Sequence, residues 1–381
     1  MKKYNLMFLI ISLIIIATIY NNNKSYILSN NRIIYRGQRV IRASEYLLQK
    51  TNELQTTYED GDKKELFTFE HQDTAHTNEL RDYRYIGRKA NNYVYFNCIG
   101  DDISSCEIWR IVGIFPVENE TGDTKYRIKI IRSESIGKYS FDDSSNNYVN
   151  SSLQLFLNSS YYNNLSYLSK KMIGISKYYI SGDNVSSYNG SSFYNIERGK
   201  KTNKSVDFIG NVGLLYPSDY LYTYSGINNS CYSNLANCSN IKDSWMYRII
   251  GEPLWTITQV TDTNRVYTVS ANDSQISYNA NNELDVYPVV YLNYDVVIES
   301  GDGSKINPYQ IRPMYDSEIQ SELEMLQSNG DLDKTQVNVD DTLSTKSIVI
   351  IIISSLFFIT GCIFIIKIII DRRKLKKKLK I

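Results

Sequence analysis

An uncharged apolar segment near the C-terminus is the feature that most constrains this chain. Residues 347–366 read SIVIIIISSLFFITGCIFII and contain no charged side chain. As a helix rising 1.5 Å per residue, a segment of about 20 residues spans roughly 30 Å, which matches the hydrocarbon core of a bilayer. Residues 371–381 are strongly basic, and basic segments beside a membrane span stay in the cytoplasm. The sequence therefore predicts a transmembrane helix over residues 347–370 and a basic cytoplasmic tail at 371–381.

The N-terminus carries a second apolar run. Lys2 and Lys3 precede residues 6–20, a length typical of the apolar core of a signal peptide and short for a membrane span. No A-x-A-like cleavage site follows the run, so residues 1–21 are either a cleaved signal peptide or an uncleaved signal anchor. Both alternatives predict a cell-membrane protein in which residues 22–346 are extracellular.

Charge is distributed unevenly along the chain. The net charge is +1, but the tail is basic and residues 313–346 are rich in Asp and Glu, which is typical of an acidic stalk. Without the tail the remainder is mildly acidic, so nucleic-acid binding is disfavoured. Between the N-terminal run and the stalk we expect a polar, partly helical membrane-proximal segment at 22–80 and a strand-rich extracellular domain at 81–312.

Runs of β-branched and aromatic residues predict that the extracellular domain is an α+β, strand-rich fold. Residues 93–98 and 108–115 are predicted to form a hairpin, and residues 126–132 alternate between polar and apolar as a half-buried strand does. Asn150 or Ser151 is a candidate cap for a short helix. Further strands are predicted at 254–258, 266–269 and 288–292, with a tight turn at 301–304.

Four of the five cysteines form two close pairs in the sequence. An even number of cysteines in a secreted domain suggests disulfides, here Cys98 with Cys106 and Cys231 with Cys238. Free thiols or a four-cysteine zinc site are the alternatives, although neither pair has the C-x2-C spacing of such sites. We expect no bound metal and no cofactor.

Several short motifs occur in a characteristic order: RYIG at 84–87, NNYVYFN at 91–97, WRIVG at 109–113, KIIR at 129–132, GLLYPSDY at 213–220, YPVVYL at 287–292 and GDGS at 301–304. Over about residues 80–312 this order resembles an uncharacterised family of membrane-anchored surface proteins of low-GC Gram-positive bacteria. More distantly, the final part is similar to bacterial C-type-lectin-like domains, which are related to the formylglycine-generating enzyme fold.

The lectin resemblance implies small sheets, one or two helices and long loops, but it implies no particular chemistry. The sequence also lacks the Glu-Pro-Asn and Trp-Asn-Asp motifs of the calcium-dependent, sugar-binding members. Its cysteine pairs do not form a recognisable formylglycine-generating site.

Catalytic candidates are few. The chain has two histidines, His71 and His76; their spacing is not that of a zincin, and a solvated loop is the alternative to a metal site. A glycoside hydrolase needs only a pair of carboxylates, and Asp142, Asp143 and Asp219 are the candidates for that alternative function. Asp302 is a candidate calcium ligand or a turn residue.

Aromatic residues surround the second cysteine pair and suggest recognition rather than catalysis. We predict Tyr216, Asp219, Tyr220 and Trp245 as ligand-binding residues, because exposed rings stack on sugars or form protein interfaces. The alternative is that the tryptophans lie in the core and that residues 220–224 alternate as a strand. The sequence thus predicts a non-enzymatic surface protein that binds a glycan or a host or cell-surface protein. A cell-wall hydrolase and an extracellular sensor are the alternatives.

Overall fold

The structure is a computed structural model of the chain and describes residues 40–51, 66–71, 80–100, 102–119, 121–180, 184–185, 188–199, 206–223, 244–271 and 275–328. The chain divides into two compact units, Met1–Glu318 and Ile319–Ile381, and only residues 319–328 of the second unit are described. Among the described helices, none has both the length and the apolar character needed to span a bilayer. The predicted membrane segments at 1–21 and 347–370 lie outside the described residues.

The described strands are, in chain order, β1 (Leu66–His71), β2 (Leu80–Tyr85), β3 (Tyr93–Phe96), β4 (Glu107–Glu118), β5 (Thr124–Arg132), β6 (Lys138–Ser140), β7 (Ser176–Ile180), β8 (Val206–Gly210), β9 (Val212–Gly213), β10 (Leu254–Val260), β11 (Arg265–Val269), β12 (Ser277–Asn279), β13 (Glu283–Asp285), β14 (Val289–Tyr291), β15 (Val296–Ser300) and β16 (Gln310–Pro313).

The described α-helices are short except for the last one. They are α1 (Ala43–Leu48), α2 (Ser152–Phe156), α3 (Tyr162–Asn164), α4 (Tyr167–Met172), α5 (Gly190–Tyr194), α6 (Pro217–Leu221) and α7 (Asp316–Ser328). A π-helical turn, Leu157–Tyr161, joins α2 to α3, and a second one, Asn195–Gly199, follows α5. The described part of the chain is therefore strand-rich with mixed helix and strand.

A seven-stranded antiparallel sheet forms the centre of the first unit. Its order is β1-β2-β4-β5-β14-β9, and β3 also pairs with β4. Strand β4 is buried without interruption from Trp109 to Val117. Such continuous burial is typical of a strand that is covered on both faces. The large sheet therefore runs through the core rather than along its surface.

A second sheet of five strands has the order β12-β11-β10-β13-β6 among the described residues. A bridge between Leu215 and Thr256 links the chain that follows β9 to strand β10. Two ribbons, β7-β8 and β15-β16, complete the described strand pairs. One continuous hydrophobic cluster extends across both sheets and includes Trp109, Trp245 and Trp255. The three tryptophans therefore lie in the core, as the alternative interpretation of the sequence predicted.

Several local predictions are confirmed. Strands β3 and β4 form the predicted antiparallel hairpin, and a disulfide joins Cys98 to Cys106 in their connection. Ser151, and not Asn150, caps helix α2, because its hydroxyl accepts a hydrogen bond of 3.1 Å from the amide of Gln154. Gly301 and Gly303 have positive φ angles, as the predicted turn requires.

Two local predictions are wrong. Strand β5 does not alternate, because Arg127 and Lys129 are as buried as their apolar neighbours and make polar contacts inside the protein. Residues 220–223 are not a strand. Helix α6 begins at Pro217, whose fixed φ angle suits the first turn of a helix, and it ends at Leu221.

Other predictions concern residues that the structure does not describe, or elements that the sequence did not specify. The second cysteine pair, Cys231 and Cys238, lies outside the described residues, as does His76. Strand β1 belongs to the segment that the sequence suggested was polar and partly helical, and this strand was not predicted. Within the predicted acidic stalk, the described residues include helix α7.

Candidate functional site

The four predicted ligand-binding residues are buried. Tyr216, Asp219, Tyr220 and Trp245 are each at most 3% exposed. The Trp245 indole donates a 2.8 Å hydrogen bond to the carbonyl of Tyr85, and the Tyr220 hydroxyl donates to the carbonyl of Ser270. These side chains point inward and hold the fold together in the described residues, and their role in ligand binding stays a prediction.

Asp219 belongs to a buried network of charges that the large sheet assembles. Arg84 on β2 and Lys129 on β5 both lie opposite Gly113 on β4. Residues directly opposite each other in antiparallel strands project from the same face, so the two cations share one face of the sheet. Asp82 lies two residues before Arg84 and therefore also lies on this face.

Gly113 is required where the strands approach each other. A Cβ atom at this position would lie 2.2 Å from the carbonyl oxygen of Tyr83 on β2. No pair of non-bonded atoms tolerates that distance, so a larger residue would force β2 and β4 apart. The glycine thus fixes the spacing between β4 and its neighbour β2, and Arg84 and Lys129 lie on the two strands that flank β4.

Helix α6 supplies the carboxylate that bridges the two cations. Asp219 Oδ1 accepts a 2.9 Å hydrogen bond from Arg84 Nη1, and Oδ2 accepts hydrogen bonds from Lys129 Nζ and from the amide of Tyr216. A second carboxylate, Asp82, pairs with Arg84 Nη2 at 2.9 Å. The network therefore contains two cations and two anions, and it is balanced in charge.

The pKa of Asp219 is lower than its ordinary value. Burial alone would raise this pKa, but Lys129 and Arg84 lower it and prevail. Aromatic rings complete the enclosure: the ring of Phe115 is 4.6 Å from the Arg84 guanidinium carbon, and the ring of Tyr216 is 4.2 Å from Lys129 Nζ. Both cations thus face carboxylates at one side and aromatic rings at another.

Glu197 is a further buried carboxyl group beside the network. Burial, followed by the nearby charge of Asp219, raises the pKa of Glu197 to about 8, although hydrogen bonds with Ser218 and Thr258 oppose the rise. Its Oε2 accepts a 3.4 Å hydrogen bond from the amide of Ser218, and its Oε1 accepts one of 3.2 Å from the Thr258 hydroxyl. Glu197 is therefore largely protonated at neutral pH.

Two neighbouring carboxyl groups with opposite pKa shifts are an arrangement found in acid–base catalysis. Here, however, Asp219 and Glu197 are each about 1% exposed. In the described residues they face partners inside the protein rather than solvent. The geometry therefore fits a structural network that fixes helix α6 against the large sheet.

The other carboxylates proposed for hydrolysis lie elsewhere. Asp142 accepts hydrogen bonds from the amides of Ser144, Ser145 and Ser152, and these bonds lower its pKa against the effect of burial. It thus ties a turn to the start of helix α2. The hydrolase alternative stays a prediction. Asp302 accepts a 2.9 Å hydrogen bond from the amide of Ser304, as a turn residue does.

No group of three or more potential metal ligands occurs in the described ranges. His71 lies in strand β1, and its partner in the predicted motif, His76, is outside the described residues. The expectation that this pair binds no metal therefore stays a prediction.

A cleft of about 300 Å³ opens beside the Cys98–Cys106 disulfide, and we call it the disulfide cleft. Its walls come from the β3–β4 connection, from helix α4 and its N-cap, from the β15–β16 ribbon and from Tyr315. The lining residues are Tyr95, Asn97, Cys98, Gly100, Asp102, Ile103, Cys106, Ser166, Leu168, Ser169, Met172, Glu299, Gln310, Ile311, Arg312, Pro313 and Tyr315.

Apolar side chains of the disulfide cleft are unusually exposed. Leu168 is 43% exposed, Tyr315 is 57% exposed, and Ile103 is similar to Leu168. Ile99, inside the disulfide-closed loop, is 77% exposed. Scattered apolar residues are normal on a protein surface, but a concave group of them is typical of a ligand or protein interface.

Local hydrogen bonds hold the walls of the cleft in place. Asn97 has a positive φ angle, and its side chain binds both Glu107 Oε1 and the amide of Ser166, at 3.0 and 2.8 Å. The Ser166 hydroxyl in turn caps helix α4 by accepting a hydrogen bond from the amide of Ser169. The disulfide loop and the helix are thus fixed to the same asparagine.

The sequence predicted neither the buried charge network nor the disulfide cleft. The Asn97–Ser166 contact and the Arg84–Asp219 pair join residues 69 and 135 positions apart, and no local pattern signals such pairs. The confirmed cysteine pair was the one sequence signal near the cleft. Glu197 carried no signal at all, because it belongs to none of the motifs or predicted elements.

Comparison with known proteins finds no matching family model, no matching curated sequence and no matching solved structure.

Proposed function

We propose that this chain is a membrane-anchored surface protein that binds a protein ligand through the disulfide cleft of its extracellular domain. In this proposal the strand-rich unit has a C-type-lectin-like fold, residues 22–346 are extracellular, and residues 347–370 anchor the chain in the cell membrane. The cleft, with its exposed apolar walls, is the observation that carries the proposal.

The Cys98–Cys106 disulfide supports the extracellular location. Disulfides form and persist outside the cytosol, where no thiol-reducing system opposes them. The uncharged segment at 347–366 and the basic residues that follow it support the same orientation. The disulfide and the apolar segment are independent observations, because one depends on redox chemistry and the other on the hydrophobic thickness of a membrane.

The charges that line the disulfide cleft favour a basic ligand. Arg312 donates to Glu299 at 2.7 Å and to Glu318 at 2.8 Å, so its positive charge is balanced within the protein. Asp102 is exposed, and hydrogen bonds from Ser104 lower its pKa, so this carboxylate is ionised at neutral pH. The remaining charge of the lining residues is therefore negative.

Apolar walls and excess carboxylates together fit one kind of ligand. A protein segment with an aliphatic or aromatic side chain beside Lys or Arg would fill the cleft and neutralise its charge. A neutral glycan would stack on the ring of Tyr315 but would not neutralise the negative charge of the cleft. We therefore infer a basic, apolar protein segment as the ligand, and we treat glycan binding as an outcome of the test.

The experiment is a binding screen with the purified full chain in a mild nonionic detergent, on an array that carries both peptides and glycans. We expect selective binding to peptides that combine basic and apolar residues, and this binding should weaken as salt is raised from 50 to 500 mM because charge attraction is screened. Binding to neutral glycans alone would contradict the inferred ligand class. Binding to neither class would contradict the proposed function.

A further inference from the structure

Arg110 is a buried cation whose environment differs from that of the charge network. It lies on strand β4 directly opposite Tyr93 of β3, and it is 3% exposed. Its guanidinium carbon is 3.7 Å from the centre of the Tyr93 ring and 4.8 Å from that of Trp245. The guanidinium thus contacts two aromatic rings, an arrangement that suits a weakly hydrated planar cation.

The hydrogen bonds of Arg110 go only to neutral acceptors. Nε donates to Asn92 Oδ1 at 2.7 Å, and Nη2 donates to the same oxygen and to the carbonyl of Ala90. Nη1 makes no hydrogen bond with any described residue.

No carboxylate in the described ranges pairs with Arg110, and this is unusual for a buried cation. Arg84, which is equally buried, pairs with both Asp82 and Asp219. Burial without a partner lowers the pKa of Arg110 to about 10, so the side chain still carries its charge at neutral pH. A buried charge without a counter-charge is costly, and its retention indicates that an anion completes the site.

The turn that leads to the Arg110 site carries two further basic residues. Arg88 and Lys89 are exposed and lie between Gly87, whose carbonyl accepts the amide of Trp245, and Ala90, whose carbonyl accepts Nη2 of Arg110. The turn that carries these two basic residues therefore begins and ends at contacts with the Arg110 site.

We propose that Arg110, through its Nη1 edge, binds an oxyanion of the carboxylate or phosphate-ester type at a site bordered by Tyr93, Asn92 and Trp245. Asn92 fixes the guanidinium in its plane, and the two rings prevent it from rotating. The unused nitrogen, Nη1, then presents its N–H groups to an oxygen of the anion, and a hydrogen bond to a charged acceptor is stronger than one to a neutral acceptor. This site is separate from the disulfide cleft and does not depend on it.

The test is thermal unfolding of the purified full chain with increasing acetate, as a carboxylate probe, or methyl phosphate, as a phosphate-ester probe. Ionic strength is held constant with sodium chloride. A specific site gives a rise in Tm that grows with the logarithm of the anion concentration above Kd and reaches about 5–10 °C at 100 times Kd. Comparison of the two probes tells which oxyanion is preferred.

Variants assign the effect to Arg110. Arg110→Gln should abolish the rise in Tm, and Arg110→Lys, which keeps the charge but lacks the planar guanidinium that contacts the two rings, should weaken anion binding at least tenfold. Arg265→Gln is the matched control, because Arg265 is half-buried and its guanidinium, like that of Arg110, bonds only to a neutral residue, here Ser277. This control should keep the rise.

Two results would overturn the proposal. One is the absence of a rise in Tm with either probe in the wild-type chain, which needs no variant to interpret. The other is an equal rise in the wild-type chain and in Arg110→Lys or Arg110→Gln, which would place the anion elsewhere.

Discussion

The protonated state of Glu197 makes the stability of the domain depend on pH in a predictable direction. The pKa of this carboxyl is about 8 in the folded protein, compared with about 4.3 in an unfolded chain. Between these two values the folded state holds a proton that the unfolded state has released. Stability therefore falls as pH rises through this window, with a limiting slope of about 1.4 kcal/mol per pH unit.

The size of the effect follows from the same two pKa values. Between pH 5 and pH 7.5 the contribution of Glu197 to the free energy of unfolding falls by about 3 kcal/mol. The side chain is 1% exposed, so solvent does not screen the difference. Glu197→Gln has the same shape and no proton to release, so this variant should lose the pH dependence.

The assay is urea unfolding of the full chain followed by tryptophan fluorescence at half-unit steps from pH 5 to pH 7.5. The three tryptophans are buried and should report loss of the core. The quantity of interest is the free energy of unfolding of wild type minus that of Glu197→Gln. This difference should fall by about 3 kcal/mol across the range, whatever constant offset the amide introduces.

A matched control separates this effect from other titrating groups. Glu283 lies on strand β13 and is exposed, so Glu283→Gln should follow the wild-type pH dependence. If the wild-type and Glu197→Gln curves run parallel, Glu197 is ionised in the folded state. The account of the buried network would then be wrong.

Three further substitutions test other parts of the fold by urea unfolding. Gly113→Ala should destabilise the domain by about 1–3 kcal/mol, because its Cβ would clash with a strand carbonyl; an unchanged stability would show that the strands can separate freely. Lys129→Met should cost about 3–5 kcal/mol by leaving Asp219 underpaired, and adding Asp219→Leu should recover much of that loss; no recovery would contradict a balanced pair. Replacing both Cys98 and Cys106 with Ser should cost about 2–3 kcal/mol, the loop entropy of a short bridge, and a reduced wild-type sample is the control that should match it.

The features that the sequence predicted correctly are local ones. The β3–β4 hairpin and its disulfide follow from residues at most a few positions apart, and so do the Ser151 cap and the turn at 301–304. In each case the chemistry that forms the element lies within the element itself. Helix α1 likewise lies in the membrane-proximal segment at 22–80 that the sequence predicted to be partly helical.

The features that the sequence did not predict depend on distant partners. A lysine in an alternating strand is expected to face solvent, and Lys129 is buried only because Asp219, 90 positions later, meets it there. The tyrosines near residue 220 alternate like a strand, but Pro217 and the carboxylate of Asp219 start a helix instead. Side chains that suggested an exposed binding surface are therefore in the core.

The candidate binding surface could not be derived from the sequence for a related reason. The disulfide cleft combines a loop, a helix and a ribbon that are far apart in the chain, and its exposed residues have ordinary sequence contexts. Only Cys98 and Cys106 marked the region in advance. The remaining walls are brought together by Asn97 and by the pairing of β15 with β16.

The central claim is that the disulfide cleft, rather than the buried aromatic cluster, is where the domain binds its ligand. The most direct test compares Leu168→Ala/Tyr315→Ala with the control Leu155→Ala, since Leu155 is a helical leucine that is 61% exposed, more than Leu168, and does not line the cleft. The probe is the peptide that binds best in the array screen, and Kd is measured for the full chain. We expect the double variant to raise Kd at least tenfold, because two apolar anchors contribute more than about 1.4 kcal/mol, while Leu155→Ala leaves Kd unchanged. An unchanged Kd in the double variant, with the protein still folded, would contradict the claim.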